Sequence, residues 1–215
     1  MSASAPLVSG IRRLKDAALL LIIANILVGI GAIAAYAAII PATFMGFMHR
    51  WGPAGIVVSI GAGAIAMIGI MVAGLILALI AVYTKLVPGS RDLAQHDPSN
   101  FETPHKLIKV GYIAGLILTI VGIATLIVLV GIPLVIVGII LLIIGVIGAA
   151  ILLIRLHDVF DKTLLLVAGI LLIIGIFIPL AGFVGWILAY IDLSSLARKL
   201  ETESGQQSAL GVGGG

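Results

Sequence analysis

The chain has 215 residues, 62% of them hydrophobic and 10% charged. That leaves too little polar surface to clothe a water-soluble core, so lipid is the expected solvent. It contains no cysteine, which excludes disulfides, thiolate metal sites and a cysteine nucleophile. The formal charge of +3 is small and the basic residues stand beside apolar runs rather than in one block, an arrangement that sets membrane topology and argues against nucleic acid as a partner.

Residues 1–16 read as a cytoplasmic segment, polar up to Arg12, Arg13, Lys15 and Asp16, and Ala17–Ile40 as the first transmembrane helix. The run is too long for the apolar region of a cleaved signal peptide, which occupies roughly 7–15 residues, so it is expected to stay as an anchor. Pro41–Pro53 mixes Phe44, Phe47 and Trp51 with His49 and Arg50, the composition of a short interfacial loop. Ala54–Tyr83 is a second apolar segment, longer than the roughly 20 residues a crossing needs. Within it Ala62 and Ala66, then Gly69 and Ala73, show the spacing that lets helix backbones approach in lipid.

Residues 84–109 form the one long polar stretch and are expected to be a solvated loop. Pro88-Gly89 marks a turn, Ser90 can cap a short helix through Gln95, Asp97-Pro98-Ser99-Asn100 is a second turn, and Thr103-Pro104 begins the next helix. A metal or phosphate site here would use His96, Asp97, Glu102 and His105, but the spacing of the two histidines matches no usual zinc-ligand pattern. No catalytic, cofactor-binding or metal-ligating residue is expected anywhere in the chain, and no cofactor.

Val110–Ile154 carries no charged side chain. Pro133, with Gly131 two residues before it, divides this stretch into two segments, each about 33 Å long at the helical rise and so matched to a bilayer's hydrocarbon core. Gly131 is expected to close the first helix and Pro133 to open the second. Gly111, Gly115 and Thr119 on the first, with Gly138 and Gly145 on the second, mark packing faces. Arg155–Lys162 is a short polar link. Thr163–Leu193 is apolar, with Pro179 at its middle and Asp192 near its end. The last helix is expected to finish near Leu200, leaving 201–215 as a flexible tail.

Breaking 163–193 at Pro179 gives six transmembrane helices. With a cytoplasmic N-terminus, Arg50 is then the only one of the 12 basic residues left outside. Keeping the segment whole gives five spans with a long kinked last helix and moves Arg198 and Lys199 out, against the positive-inside bias. The expected fold is therefore an all-α integral membrane bundle of six transmembrane helices over 17–200, in the cell membrane, with both termini cytoplasmic. Ala24–Gly31, Ala114–Gly122 and Ala168–Gly175 resemble one another, in keeping with three successive hairpins.

No span interior contains Lys, Arg, Glu or His, groups that ion-coupled transporters and membrane enzymes place at membrane depth. Asn25 is the deepest strongly polar side chain and is expected to bond between helices. The Ile11-Arg12-Arg13-Leu14-Lys15 approach to the first span, Asp97-Pro98-Ser99-Asn100-Phe101 and Ile178-Pro179-Leu180 resemble archaeal multi-pass integral membrane proteins of an uncharacterised family, a domain of unknown function. That resemblance spans most of the chain and implies no activity, site or cofactor. The expected function is non-enzymatic: a structural or accessory subunit that packs through small-residue helix faces, with membrane lipids, further copies of itself or partner membrane subunits as its neighbours. The alternative is a small pore or facilitator for a neutral or lipid-like solute.

Overall fold

The structure, a computed structural model, describes residues 5–48, 70, 73–74, 76–125 and 131–211. Among the described residues there are helices and no strand: α1 (Ala5–Met48), α2 (Val87–His96), α3 (Pro98–Ala124), α4 (Gly131–Phe160), α5 (Thr163–Gly175) and α6 (Pro179–Gly211). A single π-helical turn, Val82–Leu86, leads into α2. Among the described residues, three stretches are long and apolar enough to cross a membrane: Ala5–Gly31, Gly131–Phe160 and Pro179–Ser204. The chain divides into two compact units, Met1–Leu19 with Ala81–Gly215, and Leu20–Ile80.

Several helix ends differ from the sequence expectation. α1 starts at Ala5 and continues through Pro41 to Met48, so 41–48 is helix and not interfacial loop; 49–53 and most of the second apolar segment lie outside the described residues. The polar stretch 84–109 is helical over most of its length. Pro88 stands in the first turn of α2, directly after the π-helical turn that links it to the helical residues 76–81. α3 opens at Pro98, before Thr103, and carries Pro104 inside it.

Asp97 separates α2 from α3. Its carboxylate accepts from Ser99 Oγ at 2.5 Å, Asn100 Nδ2 at 2.7 Å and the Asn100 backbone N–H at 3.3 Å, which caps the start of α3. The Ser99 and Asn100 side-chain bonds hold its carboxyl below the usual value.

α4 begins at Gly131 rather than Pro133 and runs to Phe160, absorbing Arg155, His157 and Asp158 into its last turns. The link to α5 is Asp161-Lys162. Asp161 has φ 52°, the left-handed conformation in which helices usually end on glycine, and its N–H bonds to His157 O at 2.8 Å.

α5 and α6 are separated at 176–178, with Pro179 as the first residue of α6, and they fold back on each other. A Cβ at Gly185 would lie 3.1 Å from Ala168 O and 3.2 Å from Leu172 N, and Gly175 meets Gly182 backbone to backbone. The segment is therefore not one long kinked helix. At 13 residues, about 20 Å, α5 alone is shorter than a hydrocarbon core of roughly 30 Å. α6 continues to Gly211, well past Leu200.

The glycine faces read from the sequence mesh across the α3–α4 pair. Gly111 lies directly on the Gly145 backbone, a Cβ at Gly115 would meet Leu142 N at 2.8 Å, and one at Gly122 would meet Val135 N at 2.7 Å. Gly138 sits against Thr119, whose Oγ1 donates to Gly115 O at 2.7 Å. Gly131 packs against Gly122 and so belongs to this face instead of closing α3. With glycine turned inward, the branched side chains point away: Ile132, Ile136, Ile139 and Ile140 are all about half exposed, as lipid-facing residues are.

Within the Leu20–Ile80 unit, Gly74 fits against Ala24 and Val28. Asn25, expected to bond between helices, donates instead to Leu21 O of its own helix at 2.8 Å, and its side chain is exposed.

Replacing Gly115 with Val should cost about 1–3 kcal/mol of stability, because the new side chain must displace backbone. At Gly29 an added Cβ would have nothing within 4 Å, so Ala should be accepted there with a gain of up to about 1 kcal/mol from helix propensity. Thermal unfolding in detergent checks both; equal losses would remove the packing argument.

Candidate functional site

One group of polar residues of the larger unit gathers where α1 begins, around α2 and the start of α3. α1 and α2 approach closely at two glycines: a Cβ at Gly10 would lie 3.1 Å from Gly89 O, and one at Gly89 would lie 3.2 Å from Gly10 O. Around this contact the side chains pair. Asp92 accepts from Ser9 Oγ at 2.9 Å and pairs with Arg13 Nη1 at 3.2 Å. Asp16 pairs with Lys85 at 3.1 Å. Beneath lie the fully buried side chains of Ile11, Leu86, Leu93, Phe101 and Ile108.

Ser90 joins α2 to α3. Its side chain is completely buried, and its Oγ lies 2.9 Å from Val87 O and 2.9 Å from His105 Nδ1. A hydroxyl has one hydrogen, and the Val87 carbonyl can only accept it. With that hydrogen on Val87 O, Nδ1–H of His105 donates to Ser90 Oγ and Nε2 keeps its lone pair.

These elements enclose a cleft of about 590 Å³ lined by Arg13, Val87, Pro88, Arg91, Asp92, Gln95, His105 and Lys109. It holds three permanent cations and one carboxylate, and that carboxylate is already engaged by Arg13 and Ser9. Among the described residues, Arg91 and Lys109 have no ion-pair partner. Burial holds the His105 pKa below its ordinary value, and the positive charges of Lys109 and Arg91 push it the same way. The cleft thus has a positive field that already acts on a group inside it.

The four residues singled out from the sequence as a metal or phosphate set do not converge. Asp97 caps α3, Glu102 pairs with Lys106 at 2.6 Å, and His105 faces Ser90. No group of three or more His, Asp or Glu side chains among the described residues could hold a metal ion. Of the four, only His105 lines the cleft. In the sequence Arg13, Arg91 and Lys109 look like anchors and no more, because nothing in their spacing says that α1, α2 and α3 meet.

A family model described as "Protein of unknown function (DUF973)" matches residues 8–212. The chain belongs to the DUF973 family. No curated protein and no solved structure matches it. The DUF973 match takes in every residue that lines the cleft, and the family's description carries no activity, so the chemistry rests on the residues themselves.

Asp192 is the polar group that sequence reading undervalued. On α6 it is 7% exposed, and its Oδ2, like His157 Nδ1 and Ser194 Oγ, has no hydrogen-bond partner among the described residues. A lone acid at the end of an apolar run was the only signal.

The lowered pKa of His105 gives a pH dependence with a definite sign. The unfolded chain takes up the proton near pH 6.5 and the folded chain only at lower pH, so folding stability falls as pH drops through that window. The His105→Gln variant should lose less stability between pH 7.5 and 5 than the parent, measured by thermal unfolding.

Proposed function

We propose that this protein is a non-enzymatic membrane protein, a structural or accessory subunit whose helices pack with one another and with lipid or partner chains. The observation that carries this reading is where the polar and small residues go. Asp16, Asp92, Asp97 and Glu102 each hold a helix end or pair with a neighbouring cation, and the glycines of α3 and α4 are occupied by each other. The outward face of α4, with Ile132, Ile136, Ile139 and Ile140, is left for lipid or a partner subunit.

The pore or facilitator reading makes a different demand, a passage along the small-residue faces, and the α3–α4 contact fills those faces. Flux assays on reconstituted vesicles separate the two. Solute leak should stay at the level of empty vesicles; a raised leak that disappears on Gly111→Leu would overturn the structural reading.

Both termini are placed on the cytoplasmic side by this proposal, since that leaves Arg50 as the only basic residue outside. α5 and α6 return the chain to the side it left whether or not their turn reaches the far face. Six full spans require that it does. The turn carries Ile176, Phe177, Ile178, Pro179 and Leu180 with no polar side chain, Phe177 being 84% exposed and Leu180 70%. It also bonds its own N–H groups: Phe177 to Ile174 O at 3.0 Å and Ile178 to the same carbonyl at 2.9 Å. Such a turn suits hydrocarbon, where unpaired backbone is costly.

The absence of native cysteine makes labelling with an impermeant thiol reagent direct. In intact cells Met48→Cys should react, and Ser99→Cys and Ser204→Cys should react only after lysis. Phe177→Cys should stay silent in intact cells and react only after solubilisation. Outside labelling of Phe177→Cys would establish six full spans, and outside labelling of Ser204→Cys would reverse the C-terminus.

A further inference from the structure

We infer that the cleft between the start of α1, α2 and the start of α3 binds a phosphate-bearing anion through Arg13, Arg91 and Lys109. The inference rests on the membrane reading above only for where the anion comes from; the charge arrangement stands without it. Three cations share one cleft of about 590 Å³ with a single carboxylate, and that carboxylate accepts from Ser9 and Arg13 at 2.9 and 3.2 Å. Arg91 and Lys109 come from different helices, so the fold brings together charges that repel when no anion lies between them. Arginine and lysine donors to phosphate form short, charge-assisted hydrogen bonds about twice as strong as neutral ones. The volume is far larger than one phosphate group needs, and Val87 and Pro88 give the cleft an apolar wall. A phosphate carrying an organic substituent fits both features.

Its level along the helices points to the source. Lys109 is the last charged residue before the apolar run that begins at Val110, and Arg13 lies four residues before Ala17, where the first apolar run begins. The cleft therefore sits at the height where a lipid headgroup presents its phosphate, and basic pockets at that height bind anionic headgroups. His105 is placed to respond. Its surroundings are Arg91 and Asp92 on α2, Arg13 on α1 and Lys109 on its own helix. An anion bound among them offsets the cations and makes protonation at Nε2 easier.

The test uses the full chain in a neutral detergent, with Arg91→Gln/Lys109→Gln as the altered protein and Arg12→Gln/Lys106→Gln as the control of equal charge outside the cleft. Short-chain phosphatidylglycerol, short-chain phosphatidylcholine and inorganic phosphate are titrated separately, and binding is read from thermal stabilisation and from the His105 ring resonances. Phosphatidylglycerol should stabilise the parent and the control alike, raise the His105 pKa, and bind the cleft variant about tenfold or more weakly. Phosphatidylcholine should do neither. If inorganic phosphate alone reproduces both effects with the same dependence on Arg91 and Lys109, the cleft is an anion site whose ligand is a free phosphate. Equal weakening in the control, or unchanged binding in the cleft variant, would overturn the proposal, since the cations would then act only as a diffuse surface charge. Arg91 and Lys109 are exposed and make no ion pair among the described residues, so their replacement leaves folding intact; unfolding of the ligand-free proteins verifies this.

Discussion

Backbone contact between α3 and α4 is the constraint from which the larger unit is built. In lipid, helices gain nothing from hiding apolar surface from one another, so association depends on close van der Waals contact and on polar bonds between them. Glycine supplies that closeness. Gly111 against Gly145 and Gly122 against Gly131 leave no room for a side chain, and the ring of Tyr112 closes over Gly145. Because one face of each helix is reduced to backbone, the isoleucines must lie on the other, where lipid covers them. The same register brings Ile108 against Gly148, which fixes Lys109 and its neighbours at one end of the pair as the platform for α2.

At that end the physics changes. Charged residues that lie beside apolar runs in the sequence are gathered into ion pairs between elements remote in the chain, over a floor of Leu86, Leu93, Phe101 and Ile108. Ion pairs this exposed contribute little stability singly; the bond from His105 to the fully buried Ser90 and the Gly10–Gly89 contact hold α2 in place. The cleft follows from that arrangement: α2 carries Asp92 toward α1, and the residue before it, Arg91, is left facing the cavity with Lys109.

The parts legible in the sequence were those set by spacing along one helix. Gly111, Gly115 and Thr119, like Gly138 and Gly145, announce a face by their periodicity, and Pro179 announces a break because it cannot continue the ladder from α5. Pro98 misled for the converse reason: in a first turn the missing N–H costs nothing, so it opens a helix where composition suggests a loop. The helical state of 84–109 was hidden in part because Lys85 and Asp92 find partners on α1, and a pairing between Asp92 and Arg13 leaves no local trace. Asn25 failed differently. An amide in an apolar helix can satisfy itself on the preceding turn, as this one does on Leu21, and sequence does not distinguish that from a bond to a neighbour.

The long-range ties of α1 also bear on how the protein is made. Lys85 reaches Asp16 across 69 positions, and Asp92 reaches Ser9 across 83, so neither can form until the intervening chain has been synthesised and inserted. During that interval Arg13 stands without Asp92 and Asp16 without Lys85. When α2 arrives, Arg13 gains its ion pair with Asp92, and a basic residue from the start of the chain becomes one wall of a cleft that the later helices complete.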